Sequence, residues 1–80
     1  MRIDKYLKNA RIIKRRTIAK EACEQGKVLI NGKVAKPGDE VNVGDEVQIN
    51  FGSGSLRIEV LLVKDNVGKD LATTLYRNID

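Results

Sequence analysis

The sequence has no histidine and no tryptophan, and its 80 residues include one cysteine, one proline and three aromatic side chains, Tyr6, Phe51 and Tyr76. The missing histidines remove the commonest general base and metal ligand. With Cys23 alone there is no partner for a disulfide and no donor set for a structural zinc ion. Cys23 falls on the inward side of a helical pattern with no base beside it, so it is read as a small core residue. Ser53 and Ser55 sit in a glycine-rich turn that does not lead into a helix as a phosphate-cradling loop would. No nucleophile, base or metal constellation remains, so the chain is read as not an enzyme and as needing no cofactor. No apolar run approaches the ~18 residues of a membrane span, and charge begins at Arg2, where a leader would be apolar. These absences describe a protein of the reducing cytoplasm, without a membrane partner. Tyr6 and Phe51 both fall on apolar faces, which leaves few platforms for stacking single-stranded bases.

Positive charge is abundant and lopsided. Residues 1–36 hold eleven Lys or Arg against three acids, a net +8; residues 37–80 hold four against eight, a net −4. A basic half joined to an acidic half attracts a polyanion to one face. The charge is densest at Lys14-Arg15-Arg16, where the sequence from Arg15 to Gln25 reads as a short helix with Ile18, Ala19, Ala22 and Cys23 on one side. Cations at a helix N-terminus oppose its dipole, and three in succession suggest an anion that relieves them. A major-groove DNA reader would carry a longer recognition helix, so RNA is placed ahead of DNA.

Around that helix the rest of the chain falls into place. Ile3, Tyr6, Leu7 and Ala10 recur at helical spacing, predicting a first helix over Arg2–Ala10 with Arg2, Lys5 and Asn9 on a neighbouring stripe. Ile12 and Ile13 plug the junction. Asp4 has two readings: it meets the positive end of the helix dipole, or it pairs with Arg11 or Arg16 and aims that guanidinium. Lys20 and Glu24 are spaced for an exposed ion pair. After Gly26, Val28-Leu29-Ile30, Asn31-Gly32 and Lys33-Val34-Ala35-Lys36 predict a tight hairpin with Lys33 at its tip. Asn31 is first a turn residue, with an RNA contact through its amide as a second role. Alternation through Val41, Val43, Val47, Ile49 and Phe51, broken by Gly44-Asp45, and then through Leu56, Ile58 and Val60, predicts further half-buried strands, with Leu61-Leu62-Val63 as a buried continuation and Asp65-Asn66 closing it. Leu71, Leu75 and Ile79, four apart, predict a last helix over Asp70–Ile79. The expected fold is α+β: two N-terminal helices packed on a small antiparallel sheet, with a domain over residues 1–65 and a short C-terminal helical extension over 66–80.

At this point Met1 to Phe51 resembles the S-four RNA-binding domain, named for ribosomal small-subunit protein four. The resemblance is carried by Arg2-Ile3-Asp4-Lys5-Tyr6-Leu7, by Arg11, by the basic triplet and the Ala-containing helix ending at Gly26, by Val28 to Gly32, by Lys36-Pro37 and by Val43-Gly44-Asp45. It implies one RNA-facing surface of Arg2, Lys5, Arg11, Arg15, Arg16, Lys20 and Lys33, with Asp4 as the orienting acid; the charge pattern adds Lys14. The family often has Lys-Ser-Arg where this chain has Lys14-Arg15-Arg16, so a serine cap is replaced by a cation. The small stand-alone members, of the ribosome-quality-control and heat-shock-protein-fifteen groups, are the nearest in pattern. That likeness implies a monomer on large ribosomal subunits that still hold a peptidyl-tRNA, touching ribosomal RNA and tRNA. It also implies support for C-terminal alanine tailing by a partner protein. Two alternatives stand beside it: a large-subunit assembly factor of the same fold, and a protein-interaction adaptor working through the acidic half.

Overall fold

The first two helices and the hairpin form where apolar periodicity and turn chemistry predict them. The computed structural model describes residues 1–65 and 67–79. Its elements are α1 (Ile3–Asn9), α2 (Arg16–Glu24), β1 (Val28–Ile30), β2 (Lys33–Val34), β3 (Glu46–Phe51), β4 (Gly54–Val60), a 3-10 helix (Lys69–Leu75) and β5 (Tyr76–Asn78). The strands make one antiparallel sheet in the order β2-β1-β3-β4-β5. Its inner face carries Val28, Val47, Ile49, Ile58 and Val60. These pack with Ile3, Tyr6, Leu7 and Ala10 of the α1 region and with Ala19 and Cys23 of α2 in one buried cluster. The outer face alternates to Gln48, Arg57 and Glu59 and meets solvent, the half-buried pattern of an antiparallel sheet. No helix among the described residues is long and apolar enough to cross a membrane.

Asn31 and Gly32 take φ of 51° and 84°, so the β1–β2 connection is the two-residue turn that left-handed residues favour. The Asn31 amide also braces the next turn. It donates to Asp45 Oδ1 at 3.1 Å and accepts from the Glu46 N–H at 2.9 Å. Two short loops are built alike from Gly-Asp. Asp39 Oδ2 accepts the Lys36 N–H at 2.9 Å, and Asp45 Oδ2 accepts the Asn42 N–H at 2.8 Å. The second loop turns Val43 outward, which takes it off the strand alternation.

The carboxyl-terminal part differs from expectation. The helix predicted over Asp70–Ile79 is a 3-10 turn followed by a strand. Ala72 and Leu75, three apart, are the buried pair, matching three residues per turn, while Leu71 is exposed. Tyr76–Asn78 then pairs along β4 and covers an edge that would otherwise be unpaired. Leu61 and Leu62 are not a buried continuation of β4. The strand ends at Val60, and the chain leaves the sheet as the Leu61 and Leu62 N–H groups turn to the Leu75 carbonyl. Asn66, read as part of the closing turn, and Asp80, the last residue of the expected 66–80 extension, lie outside the described residues.

Tyr6 links the two ends of the chain. Its fully buried hydroxyl donates to the Leu75 carbonyl at 2.6 Å. Burial, with Tyr76 nearby, pushes its pKa well above the ordinary value, so it stays a donor at any working pH. Cys23 is buried as expected. Burial first, then Asp4, Asp39 and Glu24, push its thiol up to about 11, leaving it neutral and unreactive. Replacing Tyr6 by Phe should cost about 0.5–1.5 kcal/mol, the worth of one buried hydrogen bond, because the Leu75 carbonyl keeps the Leu61 and Leu62 N–H groups as donors. Urea unfolding at neutral pH checks this; an unchanged midpoint contradicts it.

Candidate nucleic-acid interface

Asp4 is buried, the one charged residue in the core among the described residues, with a side chain 2% exposed. A carboxylate so placed must be satisfied by the protein. Its Oδ2 accepts from Arg2 Nη2 at 3.0 Å, and its Oδ1 accepts the Lys5 N–H at 2.7 Å. Arg16 Nε lies 3.6 Å from Oδ1, an ion pair longer than a hydrogen bond. The side-chain partners of Asp4 are thus Arg2 and Arg16. Arg11, the other partner considered for Asp4, is not bonded to it.

The backbone explains why Asp4 sits there. The Ile3 and Asp4 N–H groups, which no turn of α1 can satisfy, donate to the carbonyls of Asp39 and Pro37 at 2.8 and 3.4 Å. The Val41 N–H donates to the Met1 carbonyl at 2.9 Å. The start of α1 is therefore stapled to the loop before β3, and Asp4, in the first turn, points inward against α2. Here α2 has no side-chain cap at Arg15. Ala19 and Cys23 face the core, while Arg16, Thr17 and Lys20 run along one flank.

That flank and the start of α1 enclose a shallow depression of about 270 Å³ lined by Arg2, Asp4, Arg16, Thr17 and Lys20. A second depression adjoins it, lined in part by Arg2, Lys5, Arg16, Glu40 and Asp65. Both include Arg2 and Arg16, which form the ridge between them. Four expected cations, Arg2, Lys5, Arg16 and Lys20, are therefore brought onto one surface. Each guanidinium keeps about half its side chain exposed while Asp4 holds its other side. A planar donor fork held in this way loses little freedom on meeting a phosphate.

The other expected residues stand differently. Arg11 lies at the helix junction with φ of 56°, where the Leu7 carbonyl accepts both the Ile12 and Ile13 N–H groups. Lys14 and Arg15 are exposed just before α2, and Lys33 is exposed on the edge strand β2. No hydrogen bond or ion pair among the described residues ties Arg11, Lys14, Arg15 or Lys33 to the Asp4 centre. The Asn31 amide is engaged inside the fold, as described above. The Lys20–Glu24 pair suggested by spacing is not among the ion pairs of the described residues; Arg57–Glu46 and Arg77–Glu59 on the sheet are. Sequence reading missed Asp65, which pairs with Lys5 at 2.5 Å across a long stretch of chain and leaves no local signal.

Comparison with known proteins gives the family. Residues 1–47 match the model of the S4 domain. The chain belongs to the S4 domain family. The matched stretch runs from Met1 into the first two residues of β3, so it includes Asp4, both guanidiniums and the hairpin. This S4 protein is 54% identical over 76 residues to the "RQC P-site tRNA stabilizing factor" of Halalkalibacterium halodurans, covering 95% of this chain and 86% of that one. It is 47% identical over 79 residues to the protein of the same name from Streptococcus pneumoniae, covering 99% and 90%. Among solved structures, Vibrio cholerae heat shock protein 15, described as trimeric, superimposes with a TM-score of 0.90 at 35% identity, covering 99% of this chain and 81% of that one.

Replacing Asp4 by Asn keeps the shape and removes the charge that Arg2 and Arg16 share. The change should cost about 1–3 kcal/mol in urea unfolding, since the lost contacts are charge-assisted but half-solvated. No loss of stability would mean that Asp4 does not organise the two guanidiniums.

Proposed function

We propose that this S4 protein is a non-catalytic RNA-binding factor of ribosome-associated quality control. In this reading it holds tRNA in the P site of a large ribosomal subunit that carries a stalled chain. Its Asp4-centred face bears on phosphates of tRNA and ribosomal RNA. It acts as a monomer in the cytoplasm and supports C-terminal alanine tailing by a partner protein. The observation that carries the reading is the ridge of Arg2 and Arg16, each gripped from within by one buried carboxylate and open outward. The names of the relatives support the tRNA and ribosome assignment. Charge and shape complementarity suit a folded RNA, because the half-exposed Phe51 is the one aromatic that reaches far into solvent, and it lies outside both depressions. Lys14 and Arg15 before α2, Arg11 at the junction and Lys33 at the hairpin edge would extend the contact along the backbone.

A face of this kind should neutralise about five to eight phosphates. Binding to large subunits should then weaken with salt, with a log–log slope of about −4 to −7. Replacing Arg16 by Ala should weaken binding by about 1–3 kcal/mol, roughly five- to 150-fold, in the same titration. Salt-independent retention, or full binding by the Arg16 variant, would contradict the reading.

A further inference from the structure

The second depression beside the Arg2–Arg16 ridge is not uniformly positive. Asp65 Oδ1 lies 2.5 Å from Lys5 Nζ, and both side chains are well exposed, at 59% and 40%. Asp65 also lines the depression that Arg2 and Arg16 share. Its place is set by the backbone. The preceding Lys64 carbonyl accepts from Asn9 Nδ2 at 3.2 Å, and Leu61 and Leu62 donate to the Leu75 carbonyl. A carboxylate is therefore held at the mouth of the cationic face, opposite a lysine expected to meet phosphate.

We infer that Asp65 is a built-in competitor for RNA: its carboxylate occupies Lys5 where a phosphate would, and it sets the affinity of the face by having to be displaced. This deepens the proposed function and rests on it. The contrast with Asp4 gives the physical reason. Asp4 is buried, takes two planar guanidiniums on their inner sides and leaves their outer donors available. Asp65 is exposed and meets a single ammonium, a compact charge on a flexible stem, from the solvent side. A paired Lys5 presents no net charge to an approaching phosphate. An exposed pair of this kind is worth little, so a phosphate can displace it while still losing part of its own gain. Glu40 lines the same depression, but it faces the chain's terminal amine at 3.9 Å and does not occupy Lys5.

The test is a titration of purified large ribosomal subunits at low salt with four proteins: wild type, Asp65→Asn, Lys5→Ala and the double variant. Arg16→Ala serves as the reference for the face. Asp65→Asn should bind about two- to fivefold more tightly than wild type. That gain should vanish when Lys5 is Ala. Thermal unfolding should be nearly unchanged, as expected for an exposed pair. Unchanged or weaker binding by Asp65→Asn overturns the inference, as does a gain that persists without Lys5, which would reflect general repulsion. If Arg16→Ala weakens binding while Asp65→Asn fails, only this inference falls. If Arg16→Ala binds as wild type, the RNA face itself falls with it.

Discussion

A carboxylate withdrawn from water needs partners close at hand, and in this protein the need of Asp4 shapes the cationic surface at the starts of the two helices. Its oxygens take the Lys5 N–H, the Arg2 guanidinium and the Arg16 guanidinium from three directions. Arg2 precedes α1 and Arg16 begins α2, so one charge ties the starts of the two helices together. The same residue lies in the first turn of α1, where the helix dipole favours an anion. The two placements weighed for it from sequence, at the helix start and beside Arg16, are thus compatible, while Arg11 is not its partner.

This arrangement also explains how α2 tolerates its own N-terminus. Cations crowd the positive end of the helix and no side chain caps it. Propensity would not keep so short a helix formed. Ala19 and Cys23 packed into the core, with Asp4 across from Arg16, hold it in place. The cationic cluster is therefore kept in an electrostatically unfavourable position by tertiary structure. An anionic ligand would relieve it, which is what the proposed function requires of this surface.

Much of this was legible in the sequence, for identifiable reasons. The 3.6-residue spacing of Ile3, Tyr6, Leu7 and Ala10 and the Asn31-Gly32 turn are local signals, and local structure obeys them. The sequence reading puts Arg2, Lys5, Arg11, Arg15, Arg16, Lys20 and Lys33 on one surface; Arg2, Lys5, Arg16 and Lys20 line the two adjoining depressions, and Arg11, Arg15 and Lys33 do not. The terminal segment was not legible. Leu71, Leu75 and Ile79 fit a helical period, but the free edge of β4 recruits Tyr76–Asn78 as a strand, a tertiary demand that propensity does not register. Leu61 and Leu62 misled in the same way, because apolar character alone does not say where a strand ends. The Asp65–Lys5 pair depends on that same terminal segment and could not be seen until it was placed.

The most direct test of the Asp4-centred face is protein–RNA crosslinking in living cells, followed by identification of both the attached RNA and the crosslinked residues. The account predicts adducts to tRNA and large-subunit ribosomal RNA that map to Arg2, Arg16 and Lys20 at the starts of the two helices. Adducts confined to Arg57 and Arg77 on the outer face of the sheet, or an absence of RNA adducts altogether, would contradict it.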